Sequence, residues 1–107
     1  MPRFRVTGVA PAALEALREP LFDELEQALG VPRAHLVLLA SGDTPLPEPG
    51  LAITPFVEVG WFDRGLEVQD RVSRILTNHL KAAGCEPPDV VFALYARRSY
   101  YEDGQPF

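Results

Sequence analysis

Three charged side chains on predicted strands are the first candidates for binding chemistry in this chain. Arg3 and Arg5 alternate with Phe4 and Val6 in the opening stretch RFRVTGV, so the two arginines face away from the apolar side of the strand. Glu58 holds a matching place in the later stretch FVEV. If this side of the strand is buried, each charged side chain on it needs a partner of opposite charge. We therefore predict either a structural ion pair between Glu58 and an arginine, or a polar site lined by Arg3 and Glu58.

Thiol and metal chemistry find little support in the sequence. The single cysteine, Cys85, has no partner for an internal disulfide, and its place after a predicted helix favours a packing role. His35 begins a predicted strand and His79 lies on the apolar stripe of a predicted helix. Neither histidine has a second ligand at metal spacing. The sequence thus indicates no cofactor and no metal ion.

Length and charge narrow the classes of function. The 107 residues predict a single domain, and 47% of them are apolar, which is typical of a globular protein. The net charge is −5 and no run is rich in lysine or arginine, so we expect no nucleic-acid partner and no membrane partner. No apolar leader or long apolar span is evident, and a cytoplasmic location is the expectation.

The chain carries one order of elements twice. The first unit, residues 2–40, reads as a strand at 3–9, a helix at 11–29 and a strand at 35–40. Leucines at helical spacing mark the helix, and Gly30 is typical of its end. Pro20 lies inside the helical pattern, so we expect a kink or a break there.

The second unit, residues 53–96, repeats this order with a strand at 53–62, a helix at 63–83 and a strand at 89–96. Pro2 of MPRFRV and Pro55 of TPFVEV occupy matching places in the two units. A loop at 41–52, rich in turn residues, joins the units. In the tail, residues 97–107, Asp103-Gly104 predicts a tight turn that places Tyr100 or Tyr101 across from Phe107.

Two strand–helix–strand units in tandem predict an α+β fold with two layers. Each unit pairs two parallel strands, so the simplest arrangement is a four-stranded sheet with both helices on one face. The stretches HLVLLA, FVEVGWF and DVVFALYA are apolar at nearly every position, as in strands that are covered on both faces. No further element remains to cover the second face. We therefore expect a homo-oligomer that packs sheet against sheet.

Over its whole length the chain resembles the tautomerase superfamily, which includes oxalocrotonate tautomerase and macrophage migration inhibitory factor. The resemblance rests on Pro2 directly after Met1, on the doubled unit, on the length and on the stretch FVEVGWFDRG at 56–65. An uncharacterised bacterial branch with a similar FVEV, WFDRG and EVQD pattern and a YYE tail is most similar. The resemblance implies a homotrimer around a central channel, with the helices outside.

The resemblance also implies catalysis by the N-terminal proline. Removal of the initiator methionine would turn Pro2 into a secondary amine that serves as general base or acid on a small keto or enol carboxylic acid. Arg64, in the loop after the third strand, would hold the carboxylate and stabilise an enolate. Arg64 could instead pair with Asp63 or Asp70. Isomerisation, hydration and dehalogenation could all use the same proline and arginine.

Further site residues follow from the same resemblance. In the family, C-terminal residues line the pocket of a neighbouring subunit, which implies substrate-binding roles for Tyr100 and Tyr101. Arg3 and Glu58 complete the set of substrate-binding candidates, with a small carboxylate as the ligand. The alternative is a non-catalytic homotrimer of the same fold, which binds a small anion or acts as a structural protein.

Overall fold

The computed structural model describes residues 2–107 and contains one four-stranded sheet, two long helices and a terminal hairpin. The elements along the chain are β1 (Arg3–Thr7), α1 (Pro11–Leu29), β2 (Val37–Ala40), β3 (Phe56–Trp61), α2 (Leu66–Ala82), β4 (Asp89–Leu94), β5 (Tyr101–Glu102) and β6 (Gln105–Pro106), with 3-10 turns at Arg33–His35 and Arg97–Ser99. The sheet order is β2-β1-β3-β4. Strands pair in parallel within each unit, and β1 and β3 pair antiparallel at the centre. The predicted α+β fold class is confirmed.

The two units match in their backbone bonds as well as in their order of elements. The carbonyl of Pro2 accepts a hydrogen bond of 3.1 Å from the N–H of Val37, at the start of β2. The carbonyl of Pro55 accepts one of 3.0 Å from the N–H of Asp89, at the start of β4. Both prolines are fully buried. Each proline therefore directly precedes the first strand of its unit and bonds to the start of the second strand, in a place where its missing N–H is not needed.

The core lies between the helices and one face of the sheet. Phe4 and Val6 of β1 are buried, whereas Arg3 and Arg5, which alternate with them, are exposed, as the alternation predicted. The other buried apolar residues of the cluster are Val9, Leu14, Leu17, Leu21, Phe22, Leu25, Leu36, Val57, Val59, Trp61, Val72, Ile75, Leu76 and Leu80. Burying one such large side chain contributes about 1.5–3 kcal/mol, so this interface is the main source of stability.

Helix α1 runs through Pro20 without interruption, so the predicted alternative of a break is wrong. Pro20 and Ala16, the residue whose carbonyl loses its usual donor, are both exposed, and water can solvate that carbonyl. Leu17 and Leu21, which come before and after Pro20 in the sequence, are buried against the core. Burial on both sides of the proline outweighs one missing hydrogen bond.

Several element ends differ from the predicted ones. Strand β1 ends at Thr7 because Gly8 has a φ of +89°, which leaves the extended conformation. Strand β2 begins at Val37 because the preceding residues form the turn Arg33–His35. Likewise, β3 begins only at Phe56. Periodicity alone does not reveal these ends, because the apolar pattern continues beyond them.

The second unit shows the same kind of difference. Helix α2 begins at Leu66, so Asp63 and Arg64 lie in a turn before it. Gly65 has a φ of +86°, and its N–H donates a hydrogen bond of 2.9 Å to the Asp63 carboxylate. Strand β4 ends at Leu94. Arg64 thus lies in the short segment between the end of β3 at Trp61 and the start of α2 at Leu66.

The second face of the sheet is uncovered in the chain by itself. Phe56 and Val91 lie beside Glu58 on this open face, and their side chains are 40% and 44% exposed. Apolar side chains at this exposure favour a partner surface.

The tail confirms the predicted turn, with Asp103 and Gly104 both at positive φ. No helix within residues 2–107 is long and apolar enough to cross a bilayer.

Candidate active site

Pro2 lies where three strands meet at one end of the sheet. Arg3 pairs with Gly60 across β1 and β3, so Pro2 and Trp61, the adjoining residues, are neighbours across the same two strands. The Pro2 side chain is fully buried, and its carbonyl bonds to Val37. Met1, whose removal the resemblance implies, lies outside the described residues. An amine at the Pro2 nitrogen would be held in fixed, apolar surroundings.

Arg64 packs against the same neighbour of Pro2. Its guanidinium carbon lies 5.8 Å from the centre of the Trp61 ring, within the range of a cation–π interaction. Within residues 2–107, neither Asp63 nor Asp70 forms an ion pair with it, and the Asp63 carboxylate accepts a hydrogen bond from the Gly65 N–H. Arg64 therefore keeps a guanidinium without a carboxylate partner beside Trp61, the residue opposite Pro2 in the strand register.

Two adjoining cavities lie on the open face near this end. The larger has a volume of about 530 Å³, and its lining residues are Arg3, Leu94, Tyr95, Ala96, Ser99 and Tyr100. The smaller has a volume of about 220 Å³, and its lining residues are Arg3, Arg5, Leu39, Glu58, Val59, Gly60, Ala93 and Tyr95. Three predicted substrate-binding residues, Arg3, Glu58 and Tyr100, are thus brought together by cavities that share Arg3 and Tyr95.

An ion-pair cluster occupies the floor of the smaller cavity. Arg5 donates to Glu58 at 2.9 Å and to Asp43 at 3.0 Å, which confirms the predicted ion pair. The hydrogen bonds to Glu58 and then to Asp43 raise the pKa of the Arg5 guanidinium, so it remains charged. Arg3 forms no ion pair within the described residues. The positive charge available to a ligand on this face is that of Arg3.

Tyr95 is a lining residue that the sequence reasoning missed. Its hydroxyl lies directly over Gly60, because a Cβ added to Gly60 would meet that oxygen at 1.9 Å. The Tyr95 ring therefore forms a wall between the two cavities, above a residue that has no side chain. The signal for it was present, since Tyr95 continues the alternation of Val91 and Ala93 on the open face.

The C-terminal tail places its two predicted tyrosines differently. Tyr100 packs on Phe62 and Phe107 with ring centres 5.3 Å apart in each case, and it lines the larger cavity. Tyr101 is 55% exposed, accepts a hydrogen bond from Arg98 and lines neither of the two open-face cavities. The structure therefore brings Tyr100, but not Tyr101, to the candidate site of its own chain.

The remaining candidates lie outside this site. His79 bonds to Glu24 at 2.8 Å and connects the two helices, and Cys85 packs against the core. Within residues 2–107, no group of three or more histidine, cysteine or acidic side chains is arranged to hold a metal ion. Pro2 and Arg64 line neither open-face cavity, so the single chain does not bring the predicted catalytic pair and the predicted substrate-binding residues into one pocket.

Comparison with known proteins gives a family and a fold. Residues 1–106 match the model of a domain of unknown function, DUF1904. A protein of unknown function from Vibrio cholerae has a similar structure at 30% identity, with a TM-score of 0.88 over 99% of this chain and 87% of that one. No functionally curated protein matches the chain.

More distant likenesses identify the fold. A macrophage migration inhibitory factor homologue from Prochlorococcus marinus is 20% identical, with a TM-score of 0.76 over 99% of this chain and 97% of that one. A fused 4-OT protein, described as a symmetric trimer, is also 20% identical, with a TM-score of 0.70 over 97% of this chain and 92% of that one. At these identities the likeness shows the tautomerase fold.

Proposed function

The chain belongs to the DUF1904 family and has the tautomerase fold, and on this premise we propose that it is an isomerase that uses Pro2 as its general base and acid. The substrate class is a small keto or enol carboxylic acid. Pro2 would take a proton from the carbon next to the carbonyl, and the electron pair of the broken C–H bond would form the enolate. Return of the proton at another atom completes the isomerisation.

Burial of Pro2 is the observation that carries the proposal. A free α-amino group has a pKa of about 7.7–8.0 in model peptides. The fully buried surroundings of the Pro2 ring disfavour the protonated amine and would lower this pKa. The bond between the Pro2 carbonyl and the Val37 N–H holds the proline in place. A neutral, fixed amine near neutral pH is what a proton abstraction next to a carbonyl requires.

Arg64 is the proposed catalytic partner of Pro2. A guanidinium can bind a carboxylate through two parallel hydrogen bonds, and its charge stabilises the developing enolate. Arg64 suits this role because no carboxylate of the described chain pairs with it. In the proposed substrate-binding set, Arg3, Glu58 and Tyr100 contribute from the open face. Tyr101 would contribute only to the pocket of a neighbouring subunit.

A homotrimer is part of this proposal. Phe56 and Val91 stay exposed on the open sheet face of the single chain, and a sheet-to-sheet assembly would cover them. The fused 4-OT protein of the same fold is described as a symmetric trimer. In a trimer of this kind, the cavities around Arg3 and Tyr95 would face a neighbouring chain.

A non-catalytic trimer that binds a small anion is the second candidate. In this candidate Met1 stays attached, so the Pro2 nitrogen is an amide. An amide nitrogen has no basic electron pair. The two candidates therefore differ at a single atom, and the mass of the intact native protein tells whether Met1 has been removed.

Alkylation with bromopyruvate tests the proposed base. The Pro2 nitrogen would form a bond to the brominated carbon and bromide would leave, so peptide mapping should find the label at Pro2. The amine of Lys81 should stay unlabelled near neutral pH, because a lysine has a pKa of about 10.4. Label on Cys85 or Lys81 with Pro2 unmodified would contradict the proposal and favour the non-catalytic trimer.

Two arginine variants test the proposed clamp. Arg64→Ala should slow the labelling of Pro2 because it removes the group that binds the reagent's carboxylate, and the trimer should remain intact. Arg71→Ala is the matched control, since Arg71 is an exposed residue of α2. Equal labelling rates in the two variants would show that Arg64 does not guide the reagent.

A further inference from the structure

Two buried nitrogen atoms at the end of β3 and in the turn after it have no hydrogen-bond acceptor in residues 2–107. They are Nε1 of Trp61 and Nε of Arg64. Trp61 is completely buried, and the Arg64 guanidinium lies over its ring. Buried N–H groups are paired in nearly all native structures, because an unpaired donor loses its bonds to water and gains none. Two unpaired donors on adjacent side chains indicate an acceptor that comes from outside the chain.

The charge of Arg64 indicates the sign of that acceptor. Within residues 2–107, three arginines are half-buried: Arg18, Arg33 and Arg64. Arg18 pairs with Glu15 at 2.9 Å, and Arg33 pairs with Glu19 at 2.9 Å. Arg64 alone of the three has no carboxylate partner, although the chain has an excess of acidic residues. A partly desolvated cation without a counter-ion favours an anionic ligand.

We propose that Trp61 and Arg64 form a two-donor subsite for the carboxylate of the ligand, in which the indole Nε1–H binds one oxygen and the Arg64 Nε–H binds the other. This inference rests on the proposed function, since it concerns the ligand of the same site. A carboxylate offers two acceptor oxygens and no hydrogen to place, whereas a water molecule would need acceptors of its own. Trp61 thereby becomes a specificity-determining residue, in addition to its place in the core.

The turn that carries Arg64 lies at the protein surface, since Asp63 and Gly65 on either side of it are exposed. Both nitrogens are closed off from solvent in the chain by itself, so binding requires a small movement of the guanidinium or of its turn. Gly65, next to Arg64, borders open space, because a Cβ added there would meet no atom within 4 Å. The carboxylate of Asp63 is held by the Gly65 N–H and does not compete for Arg64.

The indole resonance in a ¹H–¹⁵N NMR spectrum tests the proposal directly. Trp61 is the single tryptophan in the sequence, so its Nε1–H gives one peak that needs no assignment by mutation. Addition of pyruvate should move this peak downfield in a saturable manner, because a carboxylate replaces no previous acceptor. Methyl pyruvate, which has the same ketone but no charge, should leave the peak in place.

Variants of two arginines complete the test. Arg64→Gln should weaken the pyruvate affinity about tenfold or more, as expected for the loss of a hydrogen bond between charged groups. Arg71→Gln should leave the affinity unchanged. An indole peak that stays in place in pyruvate, or moves equally in Arg64→Gln, overturns the subsite.

The outcome is distinguishable from a failure of the proposed base. An immobile indole peak together with Arg64-dependent labelling of Pro2 by bromopyruvate overturns the Trp61 subsite and leaves the base in place. A pyruvate-sensitive indole peak without any labelling of Pro2 supports the subsite, and the protein would then bind carboxylates without proton abstraction.

Discussion

Removal of the Glu58 charge measures whether the open sheet face is covered in solution. In the single chain, the side chains of Arg5 and Glu58 are 44% and 43% exposed, and a pair at that exposure contributes about 0.2–1 kcal/mol. If neighbouring chains cover this face, Glu58→Ala leaves a buried guanidinium with one partner fewer. Breaking a buried pair costs about 3–5 kcal/mol. We expect a loss near the lower limit, about 3 kcal/mol, because Asp43 still accepts from Arg5.

Denaturant unfolding at two protein concentrations is the assay. The unfolding of a trimer includes its dissociation, so the midpoint of wild-type unfolding should rise with protein concentration. Light scattering should give three times the 11.8 kDa mass of the chain. Glu15→Ala is the matched control, because Glu15 pairs with Arg18 on a helix outside the open face, and it should cost less than about 1 kcal/mol.

A second variant separates loss of charge from loss of packing. Arg5→Met combined with Glu58→Leu removes both charges and fills the space with apolar groups, so it should recover most of the stability lost in Glu58→Ala. The reasoning is refuted if Glu58→Ala costs less than about 1 kcal/mol and the unfolding midpoint is independent of concentration. The open face would then be exposed to solvent, and the proposal of a trimer would be wrong.

Two further predictions concern the residues that shape the fold around the site. Pro20→Ala should stabilise the protein by about 1–3 kcal/mol, because α1 is already continuous there and the new N–H can bond to the Ala16 carbonyl; an unchanged or lower denaturation midpoint would contradict this. Gly60→Ala should destabilise the wild type, since the new Cβ meets the Tyr95 hydroxyl at 1.9 Å. In a Tyr95→Ala background the same substitution should be neutral or stabilising, because the clash is gone and alanine restricts the unfolded chain more than glycine does. The double-mutant cycle should give a coupling energy of about 0.5–3 kcal/mol. Equal effects in both backgrounds would show that the ring moves aside without cost.

Local pattern was sufficient for the architecture of this protein. Alternation placed Phe4 and Val6 inside and Arg3 and Arg5 outside, because a strand turns successive side chains to opposite faces whatever surrounds it. The matching place of Glu58 predicted an ion pair with one of the two arginines, and the structure shows that this arginine is Arg5. The sequence repeat predicts that Pro2 and Pro55 are equivalent, and in the structure the carbonyls of both prolines accept equivalent backbone hydrogen bonds. The turn at Asp103-Gly104 depends on the backbone freedom of its own residues.

What required the tertiary structure is everything that depends on distance between separate elements. Helix α1 continues through Pro20 because burial of the leucines around it outweighs a local penalty, and a local pattern cannot weigh the two. Tyr95 became part of the site because Gly60, on another strand, leaves room for its ring. The family resemblance points to Arg64, but the contact of Arg64 with Trp61 and the two unpaired donors there arise only when strand β3 is packed against the core. Sequence spacing determines which face a side chain takes, whereas the register between strands determines what it meets on that face.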